Sequence, residues 1–288
     1  MEVWGGNQAA DDWVAVAGLD AWVYSKPFGE SRGGGDVYYV SSCATGRIAR
    51  LLLADVSGHG EAVQDVAVGL RGIMRRYVNH ADQGQFIRSM NEQFASMAQN
   101  GNFATAVVST FFAPTGRLSL CNAGHPIPML YRAKTRRWSF LDTDARPPEG
   151  LVNLPLGIVD LSDYQTFDVP LDPGDLVLCY TDSLVEARAS SGELLGHEGL
   201  MRIVKSLEMT DPATFISRLV SAIVAECGEG AGGDDTTVLL FSPNGHGRRR
   251  PTLRTQAIAL GKMIAAIAKS VRPGAEPVPW PPLLPARK

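Results

Sequence analysis

The apolar pattern of this chain changes period four times along its length, and that order constrains its fold most. Runs rich in aromatic and β-branched residues at 21–27 and 36–42 read as strands, and 46–56 as a third that ends buried. Over 61–78 the apolar residues Val63, Val66, Ala67, Leu70, Ile73, Met74 and Tyr77 fall at intervals of three and four, which is one face of a helix. Residues 86–97 repeat that spacing. Strand patterns return at 104–112, 117–122 and 127–132, and the turn "APTGR" joins the first two as a hairpin. After a Pro- and Gly-rich stretch at 142–163 come an alternating strand in "YQTFDVPL" and a buried strand in "DPGDLVLCYT". Helices at about 197–207 and 212–227 and a last strand at 235–241 complete the pattern. Hairpin-linked strands between helix pairs make a largely antiparallel sheet and exclude a doubly wound parallel one. The expected fold is α+β: an antiparallel β-sandwich with a helix pair on each outer face, in α-β-β-α layers.

One of these strands raises a chemical question. "LLLADVSGHGEAV", residues 51–63, is apolar enough to be buried, yet it ends on Asp55. A carboxylate at the end of a buried strand is costly unless something pairs with it. Asp36 after "SRGGG", Asp182 after "LVLCYT" and Asp234 after "GEGAGG" occupy the same kind of position, where an apolar strand meets a loop. A sandwich gathers such positions at one rim. Four acids gathered without bases repel one another, and cations relieve this. All-oxygen ligation suits Mg²⁺ or Mn²⁺, and no Cys/His cluster suggests zinc. The plainer reading of each acid is an ordinary strand-end or turn residue. The glycines beside Asp36 and Asp234 weigh against it, because they let the backbone pass close to a ligand.

Charge narrows the function classes. The net charge of −3 divides into +8 over residues 246–288 and −11 over residues 1–245. An acidic body argues against a nucleic-acid enzyme. No apolar run approaches the roughly 20 residues that span a bilayer, and the start "MEVWGGNQAADDW" lacks the apolar core of a signal peptide. The four cysteines show no CxxC spacing, which favours free thiols and a cytoplasmic location.

Six segments then carry a likeness: "GGD" at 34–36, "ADVSGHG" at 54–60, "NAGHP" at 122–126, "LPLGI" at 154–158, "PGDLVLCYTDSLVEA" at 173–187 and "GDDTTVLL" at 233–240. In this order they resemble the PPM family of metal-dependent protein serine/threonine phosphatases. The nearest branch is the bacterial one of the stage II sporulation protein E and the general stress-response phosphatases. The resemblance covers about residues 18–242. It implies the same sandwich, two Mn²⁺ or Mg²⁺ ions, and hydrolysis of phosphoserine or phosphothreonine on a protein by a metal-bridging water, with no phosphoenzyme. Position by position it implies that Asp36 and Asp55 lie between the two metals, with the Val56 carbonyl as a backbone ligand. Asp182 and Asp234 would hold one metal, with Asp235 behind the ligands.

Other residues keep two readings. His59 is either a general acid for the leaving serine oxygen or a hydrogen-bonding loop or cap residue. His125, with Asn122 in the same turn, is expected to be structural. Arg32 is either a phosphate-binding cation or a solvated loop residue. Two positions depart from the family pattern: Ser183 stands where glycine is common, and Tyr39 where a further acid is common. Serine fits at 183 if the backbone has no positive φ there.

The expected organisation is an N-terminal segment (1–17), a phosphatase domain (18–243) and a basic tail (244–288). With no sensory domain ahead of the first strand, control is expected from a partner docking on the helix pair at 61–97, from the tail, or from a separate protein. The resemblance implies that these helices move, and Met74, Met90 and Met97 suit an adaptable contact. The tail holds a basic amphipathic helix at 252–271 before a Pro-rich end. It reads as packed on the acidic body, as docked on a partner or, ranked last, as laid on a membrane surface. The expected substrate is a phosphorylated regulatory protein such as an anti-sigma antagonist. The alternatives are a catalytically weak phosphoprotein-binding regulator and a hydrolase of small phosphoesters.

Overall fold

The computed structural model describes residues 2–16, 18–29, 31–43, 46–58, 61–80, 82–98, 101–141, 152–159, 163–189, 192–228 and 233–246. His59 and the basic tail from 247 onward therefore lie outside the described residues.

Two six-stranded sheets face each other, and every strand pairing in them is antiparallel. The first runs β1 (Glu2–Gly6), β4 (Asp36–Ser42), β5 (Ile48–Val56), β6 (Ala104–Phe112), β7 (Arg117–Ala123) and β10 (Phe167–Pro170). The second runs β2 (Ala10–Val16), β3 (Leu19–Lys26), β12 (Thr236–Pro243), β11 (Leu176–Tyr180), β8 (Met129–Arg132) and β9 (Arg137–Phe140). Helices α1 (Glu61–Tyr77) and α2 (Gln83–Met97) cover the first sheet, while α4 (Gly196–Ser206) and α5 (Pro212–Cys227) cover the second. The short α3 (Ser183–Glu186) follows β11. The layers are those the sequence leads one to expect.

β5 shows why the sandwich forms. Ala49, Leu51 and Leu53 point between the sheets, while Leu52, Ala54 and Val56 point at α1 and α2. A strand buried on both faces needs no polar alternation, and "LLLA" has none. Each fully buried leucine contributes roughly 1.5–3 kcal/mol. The alternation also settles where Asp55 faces. It shares the inter-sheet side with Leu53, at the strand's end.

Arg50 breaks the apolar run and is nonetheless buried, at 4% exposure. Its guanidinium donates to the His80 carbonyl, just after α1, and lies 4.5 Å from the centre of the Phe86 ring in α2. Burial lowers its pKa to about 10, so it stays charged near neutral pH. Arg50 thus ties the α1–α2 connection to the sheet. Arg50→Ala is expected to cost about 3 kcal/mol in urea unfolding, because it removes a buried charge-assisted bond and the packing of its stem.

Residues 2–16, set apart above as an N-terminal segment, supply an edge strand to each sheet. Asn244, just after β12, bonds back to the Val16 carbonyl at 3.1 Å and to Asp20 at 2.9 Å. Met74 and Met90 are fully buried beneath the helices, so they belong to the core and not to a docking face. The four cysteines are free thiols. No helix among the described residues is long and apolar enough to cross a membrane.

Candidate metal centre

The acids meet at one rim because four strands end or begin there. Asp36 opens β4, Asp55 lies one residue from the end of β5, and the two are opposite each other in register. Thr105 on β6 is the next partner of Asp55. Asp182 and Asp234 come from the second sheet, just after β11 and just before β12. Asp36 is buried, at 3% exposure, and accepts from the Thr181 hydroxyl at 3.0 Å. Thr181 in turn accepts from the Thr237 amide at 2.9 Å, so the second sheet holds the carboxylate of the first.

The acids feel one another. Burial, then the charge of Asp55, raises the Asp36 pKa well above the ordinary carboxylate range. Burial raises that of Asp55 to about 8, with Asp182, Asp234, Asp235 and Glu186 adding to it. Asp182 is raised by burial, then by Glu186 and Asp234. No lysine or arginine among the described residues pairs with Asp36, Asp55 or Asp182. A rim of buried and half-buried, mutually repelling carboxylates, of which Asp36, Asp55 and Asp182 pair with no base among the described residues, fits hard divalent cations. The spacing bears on how. Among the described residues no three His, Cys, Asp or Glu side chains come close enough to hold an ion together. Mg²⁺ commonly takes only one or two carboxylates and keeps several waters, so this donor set suits it. Glu186, one turn after Asp182, is an acid that the sequence reading passed over.

The loop before Asp36 is held by a clamp. The Asp235 carboxylate accepts the amides of Phe28 and Gly35, each at 2.6 Å. A Cβ on Gly34 would collide with that same carboxylate. Asn7 closes the other side, exchanging bonds with Gly34 at 2.9 and 3.1 Å. Asp235 therefore stands behind the rim and fixes the chain that delivers Asp36. On the next strand, a Cβ on Gly35 would stand 2.8 Å from the Val56 carbonyl oxygen. Gly58, at φ 104°, then turns the chain toward α1.

The remaining segments buttress the rim. Asn122 closes the turn around His125, accepting its amide at 2.7 Å and donating to its carbonyl at 2.8 Å. His125 Nδ1 lies 2.8 Å from the Thr105 hydroxyl, beside Asp55. Burial lowers the pKa of its ring to about 3, and the Tyr180 backbone opposes this only in part. His125 is thus a neutral structural residue. Its unfolded form takes up a proton near pH 6.5, so the stability it confers is complete above that pH. That stability drains away as pH falls toward 3. The excess in thermal midpoint of wild type over His125→Asn should therefore shrink between pH 7 and pH 5. "LPLGI" adds a short strand-like bridge, Ala104 to Leu156, and Asn91 of α2 bonds Gly157 and Val159. Asp175 of "PGD" sits at the far end of β11 and pairs with Arg132 at 2.8 Å. Arg32 is exposed on the loop.

The two departures leave the acids alone. Ser183 lies in α3 without a positive φ, and its hydroxyl sits 3.1 Å from that of Thr236. Tyr39 points to the helix side of its sheet, away from Asp36.

The profile of the stage II sporulation protein E (SpoIIE) family matches residues 45–244, more than half of the chain. The chain belongs to the SpoIIE family. Solved structures place this SpoIIE-family protein in the PPM phosphatase fold. The RsbU and RsbW domains of a Mycobacterium tuberculosis protein superpose with a TM-score of 0.65 at 20% identity, covering 91% of this chain and 72% of that one. The SiaA-PP2C domain of Pseudomonas aeruginosa gives 0.65 at 18% identity, covering 77% and 85%. The serine/threonine phosphatase PstP/Ppp of M. tuberculosis gives 0.55 at 16% identity, covering 78% and 99%.

Proposed function

We propose that this SpoIIE-family protein is a metal-dependent protein serine/threonine phosphatase whose acids at the sandwich rim hold two Mn²⁺ or Mg²⁺ ions. The observation that carries this is the opposed pair Asp36 and Asp55, largely buried, raised in pKa and without a basic partner among the described residues. In this reading Asp36, Asp55 and the Val56 carbonyl would hold the ions from the first sheet, and Asp182 and Asp234 would hold one ion from the second. When bound, such ions lower the pKa of water and neutralise a phosphoryl group for in-line displacement. The chain's own part is preorganisation. Thr181 orients Asp36, Asp235 clamps the glycine loop, and the apolar strands behind them exclude water. His59 is assigned as general acid to the leaving oxygen. His59→Ala should then slow phosphoserine esters far more than aryl phosphates, whose leaving groups need no proton.

The substrate proposed is a phosphorylated regulatory protein such as an anti-sigma antagonist, met in the cytoplasm, a reading that the family match supports. A partner docking on α1 and α2 would supply control. Phosphate release from a phosphoserine peptide, with Mn²⁺, with Mg²⁺ and with chelator, tests the reading. Turnover that needs the metal supports it. Metal-replete protein that binds the peptide without turnover would favour the regulator instead.

A further inference from the structure

The helix side of the second sheet carries a cavity of about 460 Å³ that opens beside Asp234. Tyr24, Lys26 and Phe28 line it from the end of β3 and the turn after it, Leu184 from α3, and Val220 and Val224 from α5. Val224 is 46% exposed, and so the apolar stripe of α5 runs past the core that it covers. Lys26 pairs in register with Thr236 and is the only basic residue among the described lining.

Three observations identify an occupant. The cavity is continuous with the metal rim, because Asp234 belongs to both and Leu184 follows Asp182 by two residues. Its volume lies within the range of side-chain-sized and ligand-sized pockets, about 300–1,000 Å³. Its lining carries one cation, Lys26, and one carboxylate, Asp234; with Asp234 committed to an ion, the lysine would attract an acidic group. The body's charge of −11 opposes an anionic membrane surface at the same place.

We propose that this cavity is a substrate subsite. It takes an apolar side chain of the phosphorylated protein, close in sequence to the phosphorylated residue, while Lys26 pairs with an acidic residue of the same segment. The proposal rests on the phosphatase reading and deepens it by naming what flanks the phosphate.

The test compares wild type with Lys26→Glu and Val224→Asp, both at exposed positions, on three substrates. These are a set of phosphoserine peptides with one leucine and one glutamate at varied spacings, the same set with glycine for leucine, and p-nitrophenyl phosphate, which is too small to reach the cavity. The expected result is a leucine-over-glycine preference in KM, with kcat little moved. Each substitution should lower the ratio of peptide to small-ester kcat/KM by about tenfold, the scale of a lost apolar contact. Equal KM for leucine and glycine peptides at every spacing, or variants that leave the ratio unchanged, would overturn the subsite. Should wild type hydrolyse no peptide, the phosphatase reading fails separately. Fluorescence anisotropy of labelled peptides still reads the cavity: a leucine preference that Val224→Asp removes upholds it, and equal binding sinks it.

Discussion

Asp55→Asn is expected to reduce metal-dependent turnover of a phosphoserine peptide by more than about a hundredfold. Even partners that only orient a metal's ligands are worth roughly 10–100-fold, and Asp55 is assigned as a ligand. The same substitution should act oppositely on stability in chelator. Asp55 holds its proton to about pH 8 in the folded chain, whereas an unfolded aspartate ionises near 3.9. Between those values the folded state binds more protons than the unfolded one, so the chelated wild type loses stability as pH rises. An amide carries no such penalty. The chelated variant should therefore melt above wild type, increasingly so from pH 6 to pH 8. A variant that is both less active and less stable in chelator would speak for ordinary misfolding.

Gly34→Ala should cost about a hundredfold in kcat/KM although residue 34 touches no substrate. The added Cβ would collide with the Asp235 carboxylate, which holds the amides of Phe28 and Gly35. Either the clamp opens or the glycine loop shifts, and both move the start of β4, where Asp36 stands. Misplacing a reacting arrangement by about 1 Å costs on the order of 10²-fold. Gly72→Ala is the control. That glycine lies in α1 with open space where a Cβ would go, so alanine there should add about 0.5–1 kcal/mol of stability and leave turnover unchanged. Equal activity of Gly34→Ala and wild type would remove Asp235 from the account.

Much of this was legible because it depends on local pattern. The two-faced burial of β5 shows as an unbroken "LLLA" run, and the helix faces of α1 and α2 show as spacings of three and four. The rim acids stood out because each ends or begins an apolar strand. The parts that escaped are those whose cause is not local. β2, "ADDWVAV", is an edge strand with Trp13 56% exposed, so it lacks the alternation that marks a half-buried strand. β1 contains two glycines, and its role emerges only through Asn7, which grips a loop 27 residues away. β3 and β12 lie side by side though more than 200 residues separate them, and no periodicity reveals such a pairing. Asp235 looked like a neighbour of a ligand, and its work on the Gly35 amide needed coordinates. Glu186 sits in a helix of four residues, too short for any pattern to stand out.

Metal stoichiometry tests the central claim most directly. Mn²⁺ would be titrated by calorimetry into chelator-stripped wild type and into Asp55→Asn. The account predicts two ions per chain for wild type and a lost or much weakened ion for the variant. A chain that binds no Mn²⁺, or binds it equally well without the Asp55 carboxylate, would contradict it.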